Sequence, residues 1–431
     1  MKSFSQWSLN SFILLLSQIV SRGGIFILTI IIARVLGDSV LGEFAALYAV
    51  FSILFPVAEW GQQTYLTRAL VTDAKASNRH VLNSVLVCSA FAVFAAGLLF
   101  IIGSLLVVKN FEAALWLALA LFFQSNSHVL KAIFRAREKW LLEANAALVD
   151  RLLMLILASA FIALGYATTG VCLAIFLGQL VSWCYVIAML KKHFVDIEIF
   201  AKADLAPFKD HLKSGLPLML TGLFAIVYVK SDLIILSFFC NQQEVGAYAA
   251  AYNLILISGV FSSVMLWSFF PKLAAMKKEQ IVNWHNKAFL QMAVGAILLF
   301  VLLNYIREPL YYFVYASFSG VLFLPILFAA EGVNFLNYTV GVTQRALNRE
   351  FVLARIMGFG ALINIVLNLV LVPIVGARGA AIATLATYFT VAFFNIQAIG
   401  KNSKMHLIIL VSLSLVLLLW GIFGLSMKGQ I

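Results

Sequence analysis

Seven charged side chains interrupt apolar stretches that are otherwise long enough to cross a membrane. They are three cations and four carboxylates, namely Arg22, Arg151, Lys230, Glu59, Asp150, Asp232 and Glu331. A charge in the hydrocarbon costs at least about 2.5–3.5 kcal/mol, so such residues normally face protein or a watery cavity and indicate function. Guanidinium groups donate hydrogen bonds to phosphate oxygens, whereas intramembrane carboxylates often take part in proton or ion movement.

The chemistry predicted from these residues is recognition of an anion together with cation coupling. Arg22, Lys230 and Arg151 are the predicted substrate-binding residues, because an arginine holds phosphate through a bidentate fork and a lysine acts as a point charge. Asp232, Glu331 and Glu59 are the predicted ion-coupling residues, for a proton or sodium. The alternative is that these groups form buried ion pairs that only fix packing, for example Arg22 with Glu59.

Lys230 and Asp232 both lie within Gly215–Phe239, an apolar run of membrane-spanning length. Their i,i+2 spacing places them on different faces of a helix, so neither is the natural partner of the other. At about 1.5 Å per residue, Arg22 and Glu331 fall near the middle of their own spans. The polar groups are therefore expected at membrane depth rather than at its surface.

The composition excludes a soluble globular protein. Of the 431 residues, 63% are hydrophobic and only 11% are charged. Runs long enough to cross about 30 Å of hydrocarbon predict an all-α integral membrane protein with twelve spans and a probable thirteenth. The predicted spans lie at about 9–33, 41–66, 81–107, 112–134, 145–165, 169–190, 214–239, 246–269, 288–306, 320–342, 354–374, 378–399 and 406–425.

Basic residues predict the orientation of the spans. The net charge of +12 could suggest nucleic acid, but in so apolar a chain it indicates cytoplasmic loops beside anionic lipid, and no nucleic-acid partner is expected. With the N-terminus in the cytoplasm, the outer connections hold only five of the 30 basic residues, Arg34, Lys109, Arg307, Arg378 and Lys428. No cleavable signal is evident, because the first run, Leu9–Ala33, is too long for one.

An internal repeat predicts two similar bundles. Leu41–Tyr48 aligns with Val245–Tyr252, so that Gly42 matches Gly246. Six spans per repeat imply a pseudo-two-fold axis along the membrane normal, as in other parallel-repeat transporters. The predicted organisation is a six-helix bundle at 1–190, a cytoplasmic linker at 191–213, a second six-helix bundle at 214–400 and an additional C-terminal span at 401–431. Rocking of two such bundles about a central site is a transporter mechanism.

No pattern in the sequence favours catalysis, a cofactor or a metal. The four cysteines lack metal-ligand spacing, and neither a P-loop nor a GxGxxG motif is present. A glycan polymerase or lipid-linked ligase would need a substantial catalytic outer loop, whereas the largest outer connection, about Arg307–Ser319, is short. The chain is therefore predicted not to be an enzyme, and the polymerase or ligase is the less favoured alternative.

Several short motifs resemble those of a known family. They are Ala33–Gly37 followed by Gly42–Ala45, Gly215–Leu218 leading to Asp232, and Asn364–Asn368 followed by Pro373 and Gly376–Ala381. Together they resemble bacterial polysaccharide flippases, the O-antigen and capsule repeat-unit exporters. That family belongs to the multidrug/oligosaccharidyl-lipid/polysaccharide exporter superfamily. Its members usually have twelve or fourteen spans, so a thirteenth is a departure.

The resemblance implies an ion-coupled flippase that moves polyprenyl-pyrophosphate-linked repeat units across the cytoplasmic (inner) membrane by alternating access. The implied partners are the lipid-linked glycan, membrane lipids, a proton or sodium and a downstream glycan polymerase. The implied pathway is polysaccharide biosynthesis, such as that of the lipopolysaccharide O-antigen. The alternative within transporters is extrusion of drugs or other small solutes, although buried positive charge suits a cationic cargo poorly.

Overall fold

The structure, a computed structural model, describes residue 20, residues 23–72, 77–108, 110–194, 208–256, 273, 276–317, 319–347 and 349–399. Arg22, most of the predicted linker and the predicted thirteenth span at 406–425 lie outside these residues. The predicted site residue Arg22 therefore has no structural description.

The described residues are overwhelmingly helical, which confirms the predicted all-α class. The α-helices are α1 Gly23–Leu36, α2 Asp38–Glu59, α3 Gln62–Thr72, α4 Ser77–Ile101, α5 Phe111–Ala136, α6 Trp140–Ala163, α7 Thr168–His193, α8 Phe208–Phe239, α9 Gln242–Leu256, α10 Lys278–Tyr305, α11 Arg307–Tyr315, α12 Leu324–Ala346, α13 Glu350–Val375 and α14 Ala377–Ile399. A π-helical turn at Ile102–Val107 extends α4, and a 3₁₀ turn at Val321–Phe323 precedes α12. Within this part of the chain, 10 helices have the length and hydropathy of a membrane span; the exact total of spans stays a prediction.

The predicted second span, 41–66, is not one continuous helix. The backbone leaves the right-handed region at Trp60 (φ 52°) and Gly61 (φ 66°), between α2 and α3. Two consecutive residues in the left-handed region cannot continue an α-helix, so the chain bends and resumes as α3. An ideal Cβ at Gly61 would also lie 2.6 Å from the carbonyl oxygen of Gly215 on α8. Close packing against α8 therefore requires glycine here.

Two pairs of helices form tight hairpins, α6 with α7 and α13 with α14. Helix α6 ends at Ala163 and α7 begins at Thr168, while α13 and α14 are separated only by Gly376, at φ 60°. An ideal Cβ at Gly379 would lie 2.6 Å from the carbonyl carbon of Leu371. Small residues thus let α13 and α14 approach closely, as is typical of helices packed in lipid.

The chain divides into two compact units. The first comprises Met1–Leu36 and Glu43–Lys230, and the second comprises Gly37–Gly42 and Ser231–Ile431. Helix α8 therefore contributes its residues up to Lys230 to one unit and the remainder to the other. The bundle boundaries predicted from the repeat, residues 1–190 and 214–400, stay a prediction.

Each unit has a helical core of its own. In the first unit, α5 packs against α4 and α7, and α7 packs against α6. In the second unit, α14 packs against α12 and α13, while α10 packs against α12. Large apolar side chains on the opposite faces, including Ile156, Leu298 and Ile374, are exposed, as expected of a surface that contacts lipid.

Candidate functional site

Asp232 lies at the centre of a buried polar network in the second unit. Its side chain is on α8 and the residue is only 2% exposed. The hydroxyl of Tyr248, on α9, donates a 2.6 Å hydrogen bond to Oδ2, and the Leu233 amide donates to Oδ1 at 2.8 Å. Hydrogen bonds to a carboxylate are short and strong when the donor is well placed. The carboxylate is thus held in one orientation.

Two asparagines on α13 extend this network. Ser231, next to Asp232, donates to Oδ1 of Asn364 at 2.8 Å, and the Asn364 amide donates to Thr387 Oγ1 at 3.3 Å. The Asn368 amide donates to Asn364 Oδ1 at 3.0 Å. Asn368 is fully buried, and its Oδ1 has no donor among the described residues. An unsatisfied oxygen at such a site is able to accept from a cation or a protonated ligand.

Asn364 and Asn368 are not among the site residues predicted from the sequence. Their i,i+4 spacing places them on one face of a helix, which fits packing or interhelical hydrogen bonding equally well. Their role beside Asp232 depends on a contact between α8 and α13 that spans 133 positions of sequence. Only the folded chain brings them together.

Hydroxyl groups continue the network along α9 and α14. The rings of Tyr248 and Tyr252 stack with centroids 5.8 Å apart, and the Tyr252 hydroxyl lies 3.4 Å from that of Tyr388. Thr384 Oγ1 lies 3.5 Å from the Tyr248 hydroxyl. Helices α8, α9, α13 and α14 therefore all contribute polar groups to one buried region.

Glu331 is held by side chains of its own helix, α12. Asn334 donates to Oε2 at 3.1 Å and the Tyr338 hydroxyl donates to Oε1 at 2.9 Å. The glutamate is 7% exposed and belongs to the same unit as Asp232. Two of the three predicted coupling carboxylates thus lie buried in the second unit.

Glu59 is in the first unit, at the last residue of α2. Its Oε1 accepts from the Gln63 amide at 3.2 Å, and its Oε2 lies 3.2 Å from Nδ1 of His128 on α5. Arg135 Nη1 donates to Gln63 Oε1 at 2.9 Å, and Arg135 Nε donates to Glu143 at 2.9 Å. Glu59 therefore lies in a polar group that bridges the break between α2 and α3.

Arg151 is a largely buried guanidinium on α6. Its side chain is 12% exposed, and its Nη1 lies 3.5 Å from Oδ2 of Asp150. Asp150 also accepts from Gln179 at 3.1 Å, so it is shared between two donors. The Nε of Arg151 is buried and has no acceptor among the described residues. The guanidinium thus keeps donor capacity that its protein neighbours do not use.

The three predicted cations are only partly described. Lys230 is half-buried on α8 and ends the first unit, which also contains Arg151. Asp232, two positions later, belongs to the second unit. Arg22 lies outside the described residues. The structure thus assigns Asp232 and Glu331 to one unit and Glu59, Arg151 and Lys230 to the other.

Ten long apolar helices among the described residues define a multi-pass membrane protein. The model of the family described as "Polysaccharide biosynthesis protein" matches residues 9–277. The chain belongs to this family.

Three known proteins with a similar sequence or fold are described as flippases or transporters. The probable low-salt glycan biosynthesis flippase Agl15 of Haloferax volcanii is 25% identical over 167 residues, which are 37% of this chain and 35% of that protein. The chain thus matches only about a third of the length of this relative. The lipid II flippase MurJ, in an inward closed conformation, aligns with a TM-score of 0.77 and 14% identity, covering 97% of this chain and 93% of MurJ. An inward-facing multidrug resistance MATE family transporter of the MOP superfamily aligns with a TM-score of 0.66 and 15% identity, covering 92% and 95%.

Proposed function

We propose that the protein is a flippase that moves a polyprenyl-pyrophosphate-linked oligosaccharide from the cytoplasmic to the outer leaflet of the membrane. The observation that carries the proposal is Arg151, a buried guanidinium whose Nε has no acceptor among the described residues. A buried cation with unused donors is costly unless a ligand supplies the acceptors. Agl15, a probable glycan biosynthesis flippase, and MurJ, a lipid II flippase, support the same class of cargo.

In this proposal the pyrophosphate headgroup is bound by Arg151, Lys230 and Arg22. A guanidinium donates two parallel hydrogen bonds to phosphate oxygens, while an ammonium contributes a compact charge. Arg151 and Lys230 belong to the first unit. In the sequence, Arg22 is two positions before Gly24, at which an ideal Cβ would lie 2.9 Å from Cδ of Arg151. The sugars would then be bound by neutral polar groups rather than by charge.

The energy for transport is proposed to come from a cation gradient sensed by Asp232, Glu331 and Glu59. Asp232 is the best candidate for the cation-binding carboxylate, because further oxygens, those of Asn368, Thr387 and Asn364, lie in the same network. One carboxylate with neutral oxygens suits a monovalent ion, sodium, or a proton. Glu59 differs in having a titratable neighbour, His128, at 3.2 Å.

The cellular setting follows from the same proposal. The protein would lie in the cytoplasmic membrane of a bacterium with its N-terminus inside, so that basic connections face the cytoplasm. Its cargo would be an O-antigen or capsule repeat unit, and a glycan polymerase on the outer side would consume the flipped product. Membrane lipids complete the set of partners.

A deletion strain tests the proposal. Loss of the gene should leave lipid-linked glycan on the cytoplasmic face and abolish the surface polysaccharide. The wild-type gene should restore export, whereas Arg151→Ala should restore it poorly at equal protein level. Arg355→Ala is the matched control, because Arg355 is exposed and lies over the ring of Phe351 rather than in the site. Full export in the Arg151→Ala strain would contradict the headgroup role.

The second candidate is extrusion of drugs or small solutes. It is favoured by the fold, since the MATE transporter aligns over 92% of this chain. Cationic cargo is disfavoured by the under-coordinated Arg151. A strain that gains resistance to cationic dyes on expression, with no effect on glycan export, would favour this candidate.

A further inference from the structure

We propose that Gly24 is a positioning residue that sets the direction of the Arg151 guanidinium. The inference rests on the proposed binding of an anionic headgroup by Arg151. Gly24 lies on α1 and is buried, and Arg151 lies on α6 of the same unit. An ideal Cβ at Gly24 would lie 2.9 Å from Cδ and 3.2 Å from both Cβ and Cγ of Arg151. The aliphatic stem of the arginine therefore lies across the bare backbone of Gly24.

Polar contacts alone do not fix this guanidinium. Its Nη1 is 3.5 Å from Asp150 Oδ2, which is a long distance for an ion pair, and 3.7 Å from the sulfur of Met154. Asp150 is the adjacent residue on the same helix, and Gln179 shares its carboxylate. With Nε unsatisfied as well, the close approach of the arginine stem to the Gly24 backbone is a further constraint on where the side chain points.

A methyl group at position 24 would displace the arginine rather than the fold. The nearest atom, Cδ, belongs to a flexible side chain, and rotation about its χ angles removes the overlap. The Cβ and Cγ contacts at 3.2 Å require only a shift of a few tenths of an ångström. The new rotamer would direct the guanidinium away from its present position. Binding of a phosphate group through two parallel hydrogen bonds depends on that direction.

The preceding residue offers a matched control. An ideal Cβ at Gly23 meets nothing within 4 Å, although Gly23 is on the same helix. Each Gly→Ala change gains a similar helix propensity, about 1 kcal/mol. The two variants therefore differ mainly in the contact with Arg151, and a difference between them isolates the positioning role.

The test measures binding of geranylgeranyl pyrophosphate to the purified full chain in detergent. Geranylgeraniol, which lacks the charged group, and inorganic pyrophosphate, which lacks the lipid, are the comparison ligands. We expect Gly24→Ala to weaken pyrophosphate-lipid binding about tenfold, the size of one charge-assisted hydrogen bond. Gly23→Ala should stay within about twofold of wild type, and geranylgeraniol binding should be unchanged in both. General destabilisation would lower binding of both lipids equally, so the selectivity ratio separates the two effects.

Thermal unfolding tests the geometry independently of ligand. If the methyl group collides with the stem, Gly24→Ala should lower the melting temperature in the wild-type background and not in the Arg151→Ala background. Additive effects of the two substitutions would overturn the contact. Should Gly24→Ala alone give no purifiable protein, recovery of the double variant supports the contact and its continued failure overturns it.

The binding results separate this inference from the proposed function. A loss of affinity in Arg151→Ala but not in Gly24→Ala overturns the positioning role alone. Unchanged affinity in Arg151→Ala overturns both the headgroup role and the positioning role. Equal binding of inorganic pyrophosphate and the lipid form would assign the site to free phosphate and overturn the lipid-headgroup role.

Discussion

The hydroxyl of Tyr248 donates a 2.6 Å hydrogen bond to Oδ2 of Asp232, deep in the second unit. The two residues lie on successive helices, α8 and α9, and both are buried. The contact connects the aligned repeat motif, which contains Tyr248, with the carboxylate proposed to sense the coupling cation. Binding of that cation to the carboxylate would have to break this hydrogen bond, and release of the cation would allow it to form again.

Tyr248→Phe should therefore increase the affinity for the coupling cation. Without the hydroxyl, the bare carboxylate loses a charge-assisted hydrogen bond worth about 1.5–3 kcal/mol, which favours the cation-bound form. We expect the half-saturating cation concentration to fall about tenfold and the maximal transport rate to decrease. Transport by reconstituted protein, measured against sodium at fixed pH and against pH at fixed sodium, identifies the ion. Tyr305→Phe, at an 85% exposed position, is the control, and an unchanged half-saturation in Tyr248→Phe would count against Asp232.

Gly42 and Gly246, which match each other in the predicted repeat, lie close together within the second unit. An ideal Cβ at Gly42 would lie 2.8 Å from the Gly246 nitrogen, and one at Gly246 would lie 2.9 Å from the Gly42 nitrogen. Backbone atoms cannot move aside as side chains do, so Gly42→Ala and Gly246→Ala should each lower thermal stability and transport. An ideal Cβ at Gly97 or Gly295 would meet nothing within 4 Å. Gly97→Ala and Gly295→Ala should therefore leave thermal stability unchanged or raise it. If the Gly42 and Gly246 variants unfold at the same temperature as the Gly97 and Gly295 variants, the close approach of Gly42 and Gly246 is refuted.

Carboxylates bind the start of the last helix in each hairpin. Glu43 accepts from the Thr168 hydroxyl at 2.6 Å and from Asn110 at 2.9 Å, while Glu244 accepts from the Ala377 amide at 2.8 Å. A negative charge at a helix N-terminus is favourable. Glu43→Gln and Glu244→Gln should each cost about 1.5–3 kcal/mol of unfolding free energy.

Glu112→Gln is the control for these carboxylates, because Glu112 is an exposed residue in the first turn of α5. The measurement is thermal or denaturant unfolding in a single detergent. Stabilities of Glu43→Gln and Glu112→Gln that agree within about 0.5 kcal/mol would show that the hairpin contact contributes nothing.

Cys240, between α8 and α9, should react slowly with alkylating reagents at neutral pH. Burial, together with the neighbouring Glu244 carboxylate, raises the pKa of its thiol to about 11. Since the thiolate is the nucleophile, reactivity should be low at pH 7.5 and increase until about pH 11. Iodoacetamide labelling in a Cys184→Ser background measures this, because Cys184 is exposed and Cys88 and Cys172 are buried.

Glu244→Gln should move the midpoint of that labelling profile to lower pH, because it removes the negative charge next to the thiol. A midpoint near the ordinary cysteine value of about 8.5 in the otherwise unchanged chain would contradict the described environment.

The helices could be predicted from the sequence because hydrocarbon demands that each spanning segment satisfy its own backbone hydrogen bonds. The internal repeat, in which Gly42 matches Gly246, stays a prediction. The break at Trp60 and Gly61 could not be predicted. It depends on close packing against Gly215, a residue about half the described chain away, and no local pattern encodes that contact.

The candidate site was predictable in kind but not in its partners. Buried charge marked Asp232 and Arg151, because such residues are costly in a membrane. Their neighbours come from other helices: Tyr248 of α9 donates to Asp232, Asn364 of α13 accepts from the adjacent Ser231, and Gly24 of α1 lies against Arg151. The spacing of residues shows which of them share one face of a helix, but it does not show which other helix packs against that face.

The central claim is tested most directly by following a pyrophosphate-linked oligosaccharide across vesicles that contain the purified full chain. A fluorescent lipid-linked glycan is placed in one leaflet, and its arrival in the other is read by a membrane-impermeant lectin. We expect cation-gradient-dependent crossing by wild type, strongly reduced crossing by Arg151→Ala and Asp232→Asn, and normal crossing by Arg355→Ala. Crossing by wild type no faster than in protein-free vesicles would contradict it.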